Sequence, residues 1–173
     1  MYKNIIFLAL LGSVLVAVNA SGAQKTDEDP IKKLDPFLGK WQTEGIFDNG
    51  TKAKSELECR WSPEKRYMIC EQDVSFSSGH THQLTIYGYD EKAGKHTFVT
   101  LLDNMAKPAG GFVEIKGNMW AYDLSLDDPK GTQVRTTNEF TNPKTELFKT
   151  YVSNDHGATW NLTLQGTARK VGD

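Results

Sequence analysis

From Trp41 to its C-terminus the chain is interrupted by turn-forming residues every 8 to 15 positions, and that rhythm restricts what it can fold into. The interruptions are Asp48-Asn49-Gly50, Pro63-Glu64-Lys65, Ser77-Ser78-Gly79, Glu91-Lys92-Ala93-Gly94, Met105 to Gly110, Gly117-Asn118, Asp127 to Gly131, Thr141-Asn142-Pro143 and Asp155-His156-Gly157. Gly, Asn, Asp and Pro supply the backbone angles that tight antiparallel turns require. No segment between them carries a helical period, so the chain reads as strand after strand. The strands expected are 40–48, 52–62, 66–77, 80–90, 95–104, 111–117, 118–126, 132–140, 144–154 and 158–170. Ten short-linked antiparallel strands form a meander, and closing it removes its edges. The fold expected is all-β, a single up-and-down antiparallel barrel of about ten strands with a short N-terminal helical turn.

Two cysteines test that reading. If Pro63 to Arg66 is a hairpin loop, Ser62 faces Tyr67 and Cys59 falls opposite Cys70, within reach of a disulfide. The alternative is a pair of buried free thiols. The same register places Ala53, Ser55, Leu57, Cys59 and Trp61 on one face with Met68, Cys70, Val74 and Phe76, opposite a charged face of Lys52, Lys54, Glu56, Glu58 and Arg60. Further inward sets are His82, Leu84, Ile86 and Gly88; Phe98, Thr100 and Leu102; Trp120, Tyr122, Leu124 and Leu126; and Trp160, Leu162 and Leu164. Eight strands make a barrel that side chains nearly fill, so ten leave room for a cavity.

The N-terminus has one lysine, Lys3, then an apolar run from Ile5 to Val18 and small residues before two candidate cuts. This is the layout of a secretory signal peptide over 1–20, cleaved after Ala20 or Ala23, and it is short for a membrane span. A flexible leader over 21–34 and a barrel domain over 35–171 follow. Asp35-Pro36 limits any helix before the first strand to one turn. The protein is expected to be exported, periplasmic or secreted, and monomeric, with no membrane span after processing. A net charge of −2 gives no reason to expect nucleic acid as a partner.

Phe37-Leu38-Gly39-Lys40-Trp41 is a G-x-W entering the first strand, and Arg169 lies on the last. The pair resembles the calycin superfamily, in which that tryptophan closes one barrel end under an arginine from the terminal strand. The resemblance implies that Trp41 and Arg169 touch as a structural plug. G-x-W-x-x-x-G is similar to the opening of nitrobindin-type ten-stranded haem barrels. With the signal peptide and the S-x-D-x-G-x-T-W of Ser153, Asp155, Gly157, Thr159 and Trp160, the chain looks closest to an exported bacterial family of unknown function with this lipocalin-like barrel. The haem barrels hold iron through a C-terminal histidine on a cavity strand. Here the only C-terminal histidine, His156, stands in a turn pointing to solvent, so no cofactor is expected.

S-x-D-x-G-x-T-W is also the Asp box of sialidases, yet one copy specifies a turn: Asp155 accepts bonds from its own loop, Gly157 supplies the positive φ, and Trp160 anchors the next strand in the core. His80 and His82 share one strand face, with His96 their nearest neighbour in sequence, and catalytic zinc needs three ligands. They read as rim residues and no metal is expected. No nucleophile–base set is visible, so no catalytic residue is assigned. The function expected is binding of a small apolar or amphipathic ligand in the cavity, with His82, Leu84, Phe98, Thr100 and Trp120 as candidate contacts. Two other readings stay open: an isomerase or hydrolase using a cavity His/carboxylate pair, and an interaction module of the cell envelope presenting Tyr87 and Tyr89 on its outer face. The Met105-to-Gly110 loop is either a lid or a plain crossover.

Overall fold

The computed structural model describes residues 29–126 and 128–173. The expected signal segment, with most of the leader, lies outside them. Ten strands follow one 3-10 helix over Pro30–Phe37: β1 Gly39–Phe47, β2 Lys52–Trp61, β3 Met68–Phe76, β4 Gly79–Asp90, β5 Lys95–Leu102, β6 Ala109–Lys116, β7 Met119–Ser125, β8 Gln133–Asn142, β9 Thr145–Ser153 and β10 Asn161–Gly172. Each pairs antiparallel with the next, and β10 pairs with β1, so the sheet is a closed ten-stranded barrel. The order follows the sequence because every connection is short enough to bind only neighbours. Among the described residues, no helix is long and apolar enough to cross a membrane.

Cys59 lies opposite Cys70 with Cα atoms 4.1 Å apart, and the two form the expected disulfide. The register it fixes puts Ala53, Ser55, Cys59, Met68 and Cys70 inside. On β5 and β7 the alternation also runs as expected, with His96, Phe98 and Thr100 inward and Trp120 buried at 1% exposure.

The helix closes one end of the barrel. Leu34 and Phe37 are buried, and the Phe37 ring lies 4.2 Å from that of Trp120 and 4.8 Å from that of Phe140. Three side chains tie the helix down: Trp41 Nε1 donates to the Phe37 carbonyl (3.0 Å), Trp61 Nε1 to Asp35 Oδ1 (3.1 Å) and His96 Nε2 to the Pro30 carbonyl (2.7 Å). The expected break at Asp35-Pro36 is bridged, because the final turn closes separately through the Leu38 amide on the Asp35 carbonyl (3.0 Å), a bond that needs no N–H from Pro36. Residues 30–34, assigned from sequence to the leader, therefore pack against the barrel.

Three expectations about faces are corrected. On β4 the inward residues are Gln83, Thr85 and Tyr87, while His82, Leu84 and Ile86 point outward. The turn explains it. Phe76 pairs with Gly79 across Ser77-Ser78, one residue less than the sequence reading allows, so Cys70 faces Thr85 and not Ile86. A one-residue slip exchanges the two faces of a strand. Trp160 does not anchor the core. A bulge between Leu162 and Leu164 leaves Leu162 outside, and the Trp160 ring is stacked under the Arg135 guanidinium at 4.3 Å. Arg135 itself is held by two 2.8 Å bonds to Asp123 on the outer face.

Trp41 and Arg169 are likewise not brought together. Arg169 stands opposite Gln42, on the outer face, whereas Trp41 is 1% exposed and stands opposite Lys170. From Phe47 back to Trp41 the register runs without a shift, which aligns Lys170, not Arg169, with the buried tryptophan.

Candidate functional site

Above the aromatic plug the interior is not filled. A cavity of about 210 Å³ is lined by every strand from β1 to β4, by β7 to β10 and by Phe37 of the helix. Thr43, Gly45, Ala53, Ser55 and Phe148 line both this cavity and a wider concavity open to solvent. Glycine at two positions makes part of the wall. Gly45 pairs with Gly166, and a Cβ on Gly166 would stand 2.6 Å from the Phe148 ring and 2.7 Å from the Gly45 Cα. The missing side chains let Phe148 lie against β1 and β10 and form a flat apolar side.

Polar groups around the wall bond to one another. Ser55 Oγ accepts from Gln72 Nε2 (2.7 Å) and is bonded to Thr43 Oγ1. Gln83 Nε2 donates to Thr85 Oγ1 (2.9 Å), which is also bonded to Thr100 Oγ1 (2.9 Å), and Thr136 bonds Thr150 (3.3 Å). Each glutamine nitrogen thereby directs one of its two N–H groups to the wall.

The floor is different in kind. The Tyr87 and Tyr122 hydroxyls interact with each other at the floor, and Tyr122 also with Thr136 and Asn138. In the amide orientation that satisfies both of its ends, Asn138 Nδ2 donates to Glu146 Oε1 at 3.1 Å. Glu146 is 5% exposed and no lysine, arginine or histidine pairs with it among the described residues. Burial alone pushes its carboxyl up to about 8, since removing water penalises the charged form. Burial also raises both tyrosines, Tyr87 well above its ordinary value. At neutral pH the floor is thus an uncharged network ending in a carboxylic acid.

Of the five ligand contacts expected from sequence, none lines this cavity. His82 and Leu84 are on the outer face, and His82 Nδ1 bonds Asp73 Oδ1 there at 2.9 Å. That bond raises the His82 pKa. Phe98 and Trp120 are inward but belong to the packed core. Thr100 reaches the wall only through Thr85. Sequence reasoning misses Glu146, although it shares strand parity with Phe148, whose size marks it as inward. Its charge argues for the outside, and the alternation argues for the inside.

The Asp box lies at the barrel end opposite the helix. Asp155 accepts from Ser153 Oγ (2.7 Å), the Thr159 amide (2.9 Å) and Thr159 Oγ1 (2.6 Å), and these bonds, with Thr159's first, hold its carboxyl at about 2. Gly157 has φ +87° and donates its amide to Ser153 Oγ at 2.8 Å. Every one of these bonds is spent within the turn. No cluster of three His, Cys, Asp or Glu able to hold a metal occurs among the described residues.

No family model and no curated protein matches the chain. Solved barrels of similar shape include a redesigned β-barrel, mFAP1, bound to DFHBI (10% identity, 80% of this chain and 99% of that chain, TM-score 0.47). A de novo designed fluorescence-activating β-barrel matches at 10% identity over 81% of this chain and 98% of that one, with a TM-score of 0.46. The S-type phycobiliprotein lyase CPES from Guillardia theta matches at 10% identity over 81% and 90%, with a TM-score of 0.48. At such identities and scores these barrels share a shape and carry nothing about chemistry.

Proposed function

We propose that this protein is an exported binding protein whose barrel holds one small, largely apolar molecule. The observation that carries the reading is the cavity itself, an unfilled space with Phe148 and Leu164 on its sides and a hydrogen-bonded polar floor. Its 210 Å³ lies below the roughly 300–1,000 Å³ of drug-sized ligand sites and above the ~150 Å³ that suffices for benzene. The part of the ligand held in the inner cavity is therefore about one ring in size. The disulfide and the signal-like N-terminus support export. An enzyme reading loses its motivating pair, because His82 meets Asp73 outside the barrel and no histidine lines the cavity.

Thermal unfolding with single-ring probes such as toluene and indole tests the proposal. Saturating probe raises the midpoint by several degrees, as ligand at about 100 times Kd adds about 2.7 kcal/mol. Ala53→Phe, which fills the cavity, removes the shift while retaining the far-ultraviolet dichroism of the barrel. A wild-type midpoint that no probe moves overturns the reading.

An outer apolar strip favours a second reading, contact between protein molecules. Leu84 pairs with Leu101 and Ile86 with Val99 on the outer face, and Val99, Leu101 and Phe112 are 40–50% exposed. The residues first considered for that surface, Tyr87 and Tyr89, belong to the inward register of β4. Sedimentation that shows association in the wild type and none in Leu101→Lys supports this reading, and a wild type monomeric at high concentration refutes it.

A further inference from the structure

We propose that the cavity selects a small primary amine, with the ammonium held by the Glu146 carboxylate on the floor and the apolar body between Phe148 and the rings of Phe37, Tyr87 and Tyr122. The inference rests on the reading of the barrel as a ligand-binding cup and names the class of molecule it takes.

Three observations favour a cation. Among the described residues, Glu146 is the one acidic side chain that lines the cavity, and it faces no positive partner there. Lys54 touches the same space, but its ammonium is outside, 3.1 Å from Glu44. The remaining titratable groups at the floor are Tyr87 and Tyr122, whose hydroxyls are engaged with one another and with Thr136 and Asn138. Among the described residues, an anion entering here would meet no positive charge.

The wall and floor are richer in acceptors than in free donors. Gln72 and Gln83 each direct one amide N–H to Ser55 and Thr85, and Asn138 spends both of its own on Glu146 and the Thr137 carbonyl. An ammonium brings three donors and no acceptor, which complements that surface. Four aromatic rings around the space add attraction for a cation through their faces.

Magnitudes permit the exchange. With its carboxyl at about 8, ionising Glu146 at pH 7 costs about tenfold in affinity. A charge-assisted bond together with cation–π contact returns about a hundredfold. Free amines at pH 7 are already ammonium ions, so the balance is simple. The carboxylic acid of Glu146 and an incoming ammonium ion become a carboxylate–ammonium pair, and the one proton that the carboxyl gives up passes to buffer.

Calorimetric titration with 2-phenylethylamine and with its neutral isostere 2-phenylethanol, each in two buffers of different protonation enthalpy, tests the inference. The amine binds at least tenfold tighter than the alcohol and releases about 0.9 proton at pH 7. Its affinity rises nearly tenfold from pH 6 to 7 and about fivefold from pH 7 to 8. Glu146→Gln loses both the preference and the proton release but still binds the alcohol. Equal or tighter binding of the alcohol, with no proton released, overturns the amine inference and leaves the cup standing. Binding of neither compound overturns the cup as well.

Discussion

Replacing Glu146 with glutamine keeps the shape of a neutral carboxyl and removes its titration. In the wild type the folded carboxyl titrates near 8 against an ordinary 4.5, because burial disfavours its charge and no cation offsets the loss of water. Below about pH 4.5 the folded and unfolded chains both hold the proton, and its contribution to stability is complete. Between 4.5 and 8 the unfolded chain has released the proton and the folded chain has not. Stability then falls by about 1.4 kcal/mol for each pH unit, reaching about 5 kcal/mol at pH 8 and changing no further. That is a large part of the 5–15 kcal/mol typical of a domain. The other titratable groups at the floor, Tyr87 and Tyr122, stay protonated across this window because burial raises both. Urea unfolding of wild type and Glu146→Gln from pH 4.5 to 9, without ligand, isolates the effect, because all other groups cancel in the difference. The variant gains on the wild type steadily from pH 4.5 to 8, by about 5 kcal/mol in total. Difference curves that stay flat would refute the claim that Glu146 is buried without a cation.

Three further outcomes follow from the fold. Reducing Cys59–Cys70, or replacing both cysteines with serine, lowers unfolding free energy by about 3 kcal/mol in the chain-entropy model for an 11-residue separation, as read by denaturant midpoint with and without reductant. Gly166→Ala costs about 1–3 kcal/mol in the same assay, since its Cβ would press on the Phe148 ring and on the Gly45 backbone, which cannot withdraw. Asp155→Asn destabilises the protein at neutral pH. The stability that Asp155 adds is present above its ordinary 3.8 and lost as pH falls through about 2, so the wild-type advantage over the variant shrinks across that interval.

How far the sequence can be read depends on turn length. The four-residue loop Pro63 to Arg66 has the length its residues suggest, and the faces of β2 and β3 follow from it, disulfide included. The next turn is one residue shorter than its Ser77-Ser78-Gly79 suggests, and every side chain of β4 changes face. Hydrophobicity offers no warning, because Leu84 and Ile86 outside are as apolar as Tyr87 inside. They cover the barrel surface beside Val99 and Leu101. Arg169 misses Trp41 because it stands an odd number of residues from the inward Leu164 and so falls on the outer face, a parity that the resemblance to a tryptophan–arginine plug overrides. Trp160 reads as core from its size, whereas Arg135 on the outer face provides a partner that only the folded register brings near. Strand number points to a cavity but not to its chemistry. Finding Glu146 requires trusting the period of two over the preference of a carboxylate for water.

Whether the barrel holds unfilled apolar space is settled by anomalous diffraction from crystals soaked in bromobenzene, a probe with no polar group to draw it elsewhere. A bromine peak is expected inside the barrel, among Phe148, Leu164 and Tyr122 and above Phe37. Bromine found only on the outer strip of Val99, Leu101 and Phe112, or nowhere, contradicts a ligand-binding cavity.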